Sequence, residues 1–382
     1  MINFFVPGAA THCIRDYLRG RGQPIAEQVH VVEHDRLGSL TRLPLGGTIF
    51  AALDQTSAAA SAACAVIYDH LASASPPVAV LNDPRKVLRR FELLTRLHQS
   101  GCNRFRVIRA LDDPRGLRYP VFIRPEHRHD GSLTPLLRDR RSLDRTLGEL
   151  MFRGITLSDL LIVEFCDTSD ASGVYRKYSA MRIGDVILPR HLHVSGDWVT
   201  KSENSFRNES FIREELAYLE EHPHERWLRQ VFDLAHIEYG RIDYGMYRGE
   251  PQVWEINMNP TIGRNAARPT RPDADRHRHL QEPGRAVSHQ QMLEAFRRID
   301  ASTPSRELDI VIDPALRARL DVEAAQASRQ SRAAAVTDRV ARHPRIRRLV
   351  KNAIFTAAGP VAPVLAEVMR RRHRHRVAGQ GE

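Results

Sequence analysis

The residues best suited to chemistry fall in one short block. V-W-E-I-N-M-N-P spans 253–260, and extended alternation puts Glu255, Asn257 and Asn259 on one face, with Trp254, Ile256 and Met258 on the other. Pro260 has no N–H to continue a ladder and ends the run. G-R-I-D-Y-G-M-Y and P-Q-V-W-E-I-N flank Arg248-Gly249-Glu250, a pattern that predicts a β-hairpin. Pairing around that turn brings Asp243 onto a strand adjacent to Glu255 and Asn257. Two carboxylates and a carboxamide are hard oxygen donors that suit Mg²⁺ and leave positions for water or phosphate oxygens. The alternative is a solvated hairpin face, against which the strict polar alternation argues. Asn259 either touches a substrate or ties down the turn at Pro260.

The elements that must position this block follow from apolar periodicity. Residues 1–80 mix short apolar runs with the Ala-rich helical stretch T-S-A-A-A-S-A-A-C-A-V-I-Y-D-H-L, as in a small α/β domain. In N-D-P-R-K-V-L-R-R-F-E-L-L-T-R-L, Asn82 or Asp83 suits a helix cap, Pro84 the first turn, and Val87, Leu88, Phe91, Leu94 and Leu97 recur at helical spacing. Strand-like runs follow at 104–110, 118–125 and 159–167. Y-R-K-Y-S-A-M-R-I-G-D-V-I-L-P-R-H-L-H-V-S predicts a second hairpin, turning at Gly184-Asp185. After Gly263 the chain becomes Arg/His/Pro-rich, then mainly helical in pattern.

D-Y-G at 243–245 followed by E-I-N-M-N-P at 255–260 resembles the metal-binding signature of the ATP-grasp superfamily. Its carboxylate–amine ligase branch includes D-alanine:D-alanine ligase, glutathione synthetase and the ribosomal-protein glutamate ligases. The resemblance implies an α+β fold of two subdomains clasping ATP, here 81–265 with subdomains at about 104–166 and 167–265. A small α/β domain (1–80) precedes it, and a linker and basic, mainly helical extension (266–382) follows. Asp243, Glu255 and Asn257 match the ligands of Mg²⁺ (or Mn²⁺), and Arg241 a position facing the developing oxyanion. R-Y-P-V-F-I-R-P places Arg124 where the family usually keeps a phosphate-binding Lys; a guanidinium grips phosphate with a larger, forked head. By the same resemblance Gly131 and Ser132 lie in a phosphate-covering loop, and Glu164, Phe165 and Cys166 read the adenine edge. Arg176, Lys177 and Arg190 face phosphates, and Lys201 sits in a second closing loop. Arg264, just after N-P-T-I-G, is placed to bind a substrate carboxylate or phosphate, the alternative being an ordinary surface residue. His191 and His193 alternate onto one face as a packed pair or a substrate contact.

The implied activity is an ADP-forming ligase: ATP phosphorylates a carboxylate of a small molecule or peptide, and an amine displaces phosphate. The alternatives are a kinase-like phosphotransferase that stops at the phosphorylated product, and a non-catalytic ATP-binding module. Four cysteines without a C-x-x-C pair argue against a zinc or disulfide framework and fit a reducing cytoplasm. The N-terminal M-I-N-F-F-V-P-G lacks the basic leader of a secretory signal. Of the net charge of +11, most lies in residues 331–382, which hold 12 Lys/Arg against three acids. Such a tail suits an anionic partner, a nucleic acid or a peripheral membrane surface, while the nearly neutral body gives no reason to bind either.

Overall fold

The computed structural model describes residues 1–129, 131–263, 278–300 and 306–326. In chain order the first elements are β1 (Ile2–Val6), α1 (His12–Arg19), β2 (Val29–Glu33), β3 (Arg42–Pro44), β4 (Gly47–Phe50), α2 (Ala58–Ala72) and β5 (Val80–Leu81). Then come α3 (Arg90–Gln99), β6 (Val107–Arg109), β7 (Val121–Pro125), α4 (Arg140–Phe152) and β8 (Leu160–Glu164). The last group is β9 (Tyr175–Ile183), β10 (Val186–Ser195), α5 (Glu209–Glu221), α6 (Glu225–Ala235), β11 (Tyr239–Tyr247), β12 (Glu250–Asn257), α7 (Arg278–Ile299) and β13 (Glu307–Asp309). The mixed α/β architecture is the one expected, and the described chain divides into two compact units.

The first unit joins Met1–Arg89 to Thr168–Ala324. Its sheet β2-β1-β4-β5 is parallel in every pair. β1 and β4 are buried along their whole length, as parallel strands covered on both faces must be. The four residues of β4 are too few to carry a periodic signal in the sequence. The second sheet, β10-β9-β11-β12, is antiparallel throughout, built on the two hairpins predicted. One core serves both sheets: Ile2, Phe4 and Ile49 meet Met181, Ile183, Tyr239, Met292 and Phe296. Phe4 and Tyr239 pack edge to face at 5.5 Å. β13 lies in the stretch read as mainly helical, yet pairs with β3.

The second unit is built on Arg90–Asp167. Its sheet β6-β8-β7 is antiparallel. α4 starts on a capping box in which Asp139 accepts from Ser142 N while Ser142 accepts from Asp139 N. Val121, Ile123, Leu143, Leu147, Leu160 and Ile162 form the core beneath it.

One expected helix start is corrected. Asn82 and Pro84 do not open the leucine-rich helix; α3 begins at Arg90. Asn82 is instead left-handed, at φ +67°. Its Nδ2 donates to Phe50 O and Tyr239 O, and its Oδ1 accepts from Glu238 N and Tyr239 N. A side chain that pins two sheets together is not available to cap a helix.

Asn82→Ala removes four hydrogen bonds, three of them fully buried, and replaces Asn with a residue that tolerates a left-handed backbone less well, so it should cost about 2–4 kcal/mol. Urea unfolding measures this, and a loss below about 1 kcal/mol would contradict the pinning role.

Candidate functional site

Strand alternation alone does not bring the site together; two β-bulges do. In the second hairpin, Tyr247 pairs with Glu250 across Arg248 (φ +52°) and Gly249 (φ +82°), the backbone of a two-residue turn with both centres left-handed. The frame runs unbroken to Tyr244↔Val253, then shifts, so that Asp243 faces Glu255 and Arg241 faces Asn257. Trp254 is the extra residue. Were all residues of both arms paired with no bulge, Asp243 would face Trp254, and Glu255 would turn to the other side of the sheet. Gly245 makes room: a β-carbon there would stand 2.3 Å from the Trp254 ring. In the first hairpin the frame shifts between Pro189 and His191. Arg190 is the extra residue, and beyond it His191 faces Ser179 and His193 faces Lys177. β9 joins the two, with Ser179 opposite Asp243.

One sheet face therefore carries His191 and His193 from β10, Lys177 and Ser179 from β9, Arg241 and Asp243 from β11, and Glu255 and Asn257 from β12. Asp243 is only 4% exposed. Its Oδ1 accepts from Ser179 Oγ (3.0 Å) and Arg241 Nε (3.2 Å), while Lys177 Nζ lies 3.4 Å from Oδ2. Like charges directly opposite on paired strands repel, so Asp243 and Glu255 face each other at a cost unless cations neutralise them. Lys177 and Arg241 do part of this, and a divalent cation would complete it. Asp243, Glu255 and Asn257 form a donor set of oxygens that fits Mg²⁺. Among the described residues there is no group of three His, Cys, Asp or Glu that could hold a metal ion, and this donor set counts two carboxylates with one carboxamide. Asn257 Oδ1 already accepts from Asn259 N (2.8 Å), leaving one lone pair. Asn259 Nδ2 donates to Ala10 O, so Asn259 ties down the strand exit.

Arg176 does not join this face. Alternation turns it to the other side of β9, where it pairs with Asp170 (2.6 Å) and Glu214 (2.5 Å). The phosphate contact expected of it is corrected on that ground. Arg190 donates to Ser288 Oγ (3.0 Å) and Ile262 O (3.3 Å), and burial draws its guanidinium down to about 10. Lys201 is exposed, with its backbone N donating to Asn204 Oδ1. Arg264 lies outside the described residues.

In the second unit, Arg124 is 7% exposed on β7. Gly131 is left-handed at φ +86°. Ser132 Oγ donates to Thr134 O (2.7 Å) and Ile123 O (3.3 Å), folding its own loop rather than presenting a hydroxyl to phosphate. The Glu164 carboxylate is also spent. It accepts from the backbone N of Arg106 (3.0 Å) and Arg118 (2.9 Å) and from both guanidinium groups. Burial pushes this carboxyl up, but the bonds from Arg118 and Arg106 outweigh it and hold it below the usual range. The Glu164 side chain is thus unavailable to a base, and Phe165 N is already given to Pro120 O (2.9 Å). Burial raises the Cys166 thiol to about 11, which leaves it unsuited to nucleophilic work.

Two residues of consequence were missed in the sequence. Ser179 supports Asp243, and its alternation with Lys177 was the available signal. Arg90 donates from Nη1 to Pro125 O (2.9 Å), Glu126 O (2.7 Å) and Arg128 O (2.8 Å), and its Nη2 meets His129 Nδ1 (2.9 Å). It holds the segment after β7 in shape; the helical position of Arg90 gave no hint of this.

Two outcomes are expected. Gly245→Ala drives a β-carbon into the Trp254 ring, disturbing the bulge at a cost of about 1–3 kcal/mol by urea unfolding. Unchanged stability would mean the ring moves freely. Glu164→Gln should cost about 1–3 kcal/mol at neutral pH, where partly exposed arginines temper the pairing. Because the folded carboxyl is depressed, its contribution is full above about pH 4.3 and lost as pH falls through the folded value. The gap between wild type and variant should thus close on acidification, and a constant gap would refute the assignment.

No family model matches the chain, and no curated protein matches it. Among solved structures it is similar to the D-alanine–D-alanine ligase from Bacillus anthracis, at 11% identity and TM-score 0.43, covering 77% of this chain and 98% of that one. It is similar to the L-amino acid ligase from Bacillus licheniformis, at 13% identity and TM-score 0.39, covering 77% and 74%. A RimK domain protein ATP-grasp from Sphaerobacter thermophilus DSM 20745 is similar at 13% identity and TM-score 0.39, covering 78% and 98%.

Proposed function

We propose that this chain is an ATP- and Mg²⁺-dependent ligase of the ATP-grasp type, which activates a carboxylate as an acylphosphate and joins it to an amine. The observation that carries this reading is the facing pair Asp243 and Glu255, with Asn257 beside them and Lys177 and Arg241 at hand. A sheet face that forces two carboxylates together is built for a cation, and the cations beside it suit phosphate.

Asp243, Glu255 and Asn257 would hold Mg²⁺, which when bound supplies charge neutralisation for phosphoryl transfer. Ser179 keeps Asp243 oriented for that task. Lys177, now 3.4 Å from Asp243, is poised to turn its ammonium to phosphate oxygens once Asp243 has another partner. Arg241 stabilises the oxyanion formed when the amine attacks the acylphosphate carbonyl; collapse of that adduct releases phosphate. Arg124, the backbone around Gly131 and the backbone of Glu164, Phe165 and Cys166 are the second unit's proposed share in holding the nucleotide. Lys201 and Arg264 stay assigned to phosphate and substrate on sequence grounds. The domain limits 1–80, 81–265 and 266–382, a cytoplasmic location and an anionic partner for the tail belong to the same proposal. Among the described residues no helix is long and apolar enough to cross a membrane.

Incubation with ATP, Mg²⁺, hydroxylamine and a panel of carboxylates traps an acylphosphate as its hydroxamate. Wild type should form hydroxamate with one substrate class and release ADP alongside. Glu255→Gln should lose at least about 100-fold in rate, as removal of a metal-holding charge in a phosphoryl-transfer site does. Phosphate release that persists in this variant would sink the metal assignment; release of ADP without hydroxamate would favour a phosphotransferase.

A further inference from the structure

The bulge in β10 has no part in the Asp243–Glu255 pair, yet it re-aims three residues at once. Beyond Pro189 it places His191 and His193 on the face of Ser179 and Lys177, with Arg190 as the inserted residue. The two imidazoles stack at 4.2 Å and 23°. Among the described residues neither ring makes a hydrogen bond, and His193 Nδ1 is buried without a partner. Arg190 meets only neutral oxygens, those of Ser288 and Ile262, and no carboxylate pairs with it among the described residues. The charges felt by the two rings are Arg190, Arg241, Lys177, Arg207 and Arg285, all cations. Burial first, then each ring's cationic neighbours, keeps both imidazoles well below their usual range. Each is thus neutral and offers one N–H. Both rings and Arg190 keep part of their surface open to solvent. A half-buried cation with no carboxylate partner among the described residues, beside two unspent N–H groups, is a receptor suited to an anion.

We propose that Arg190, His191 and His193 receive an oxyanion of the substrate, so that the ligase acts on a molecule bearing a phosphate or a carboxylate besides the group it activates. This rests on the ligase reading above. Glu255, on β12, stands about 14 Å from β10 at sheet spacing, whereas Lys177 lies directly opposite His193, so the test must separate a substrate oxyanion from nucleotide phosphate.

The test is NMR of the full-length chain with ¹⁵N-labelled histidine, titrated with inorganic phosphate and, separately, with glutarate, in the absence of Mg²⁺ and nucleotide. A saturable shift of the His191 and His193 ring nitrogens in either arm supports the proposal, and the arm that responds names the group. Arg190→Gln should weaken that binding at least tenfold, and His193→Asn, which keeps a donor, should weaken it less than His193→Leu. No saturable shift at either ring in wild type overturns the proposal whatever the variants do. Loss of the shift on adding saturating Mg²⁺ and a non-hydrolysable ATP analogue also overturns it, since the rings would then read nucleotide phosphate. Failure of the ligase reading shows separately, as phosphate release that survives in Glu255→Gln.

Discussion

A β-strand shows its side chains alternately to two faces, so one residue of slippage moves every polar group to the wrong side. The antiparallel sheet here depends on breaking that rule twice. The extra residue at Trp254 turns Glu255 and Asn257 toward Asp243, and the extra residue at Arg190 turns His191 and His193 toward Ser179 and Lys177. All four strands thereby contribute polar groups to a single face. The Gly245 backbone, bare of a β-carbon, is what lets the Trp254 ring lie where the first bulge requires.

The opposite face of the same sheet is organised as a brace. Tyr178 stacks on Tyr244 at 5.4 Å, and Tyr244 Oη donates to Tyr218 Oη (3.3 Å). Tyr218 Oη in turn donates to the backbone oxygen of Ser179 (2.9 Å), the residue whose hydroxyl holds Asp243. His224 Nδ1 closes the far end of this chain on Tyr244 Oη at 2.8 Å. Buried, mutually bonded hydroxyls of this kind fix a single arrangement, because any displacement leaves a polar group desolvated. The charged face is therefore presented by a rigid backing.

Much of this was legible in the residues. The alternation of Glu255, Asn257 and Asn259, the left-handed turn chemistry of Arg248-Gly249 and the Gly184-Asp185 turn each carry a local physical signal, and the structure has both hairpins. What was not legible were features set by distant partners. A bulge is invisible in a period-two pattern that continues on either side of it, so the sequence reading paired the strands directly around the turn. Asn82 looked like a helix cap because Asn is a good one, but its four bonds go to backbone that folds against it from Phe50 and from Glu238–Tyr239. Arg176, Ser132 and Glu164 have the right chemistry for phosphate or base. Their capacity is consumed by Asp170 and Glu214, by Thr134 and by Arg106 and Arg118, none of which local pattern reveals.

The unequal arms of the second hairpin also shape how this chain can diverge. From the turn to the carboxylate pair, β11 runs through Tyr244–Tyr247 and β12 through Glu250–Trp254, so the bulge absorbs one odd residue. Loss of a single residue from the longer arm would close the ladder and leave Asp243 facing Glu255. Loss of one from the shorter arm would set them out of phase. Insertions and deletions compatible with the site are therefore asymmetric: the β12 arm accommodates the loss of one residue and the β11 arm the gain of one.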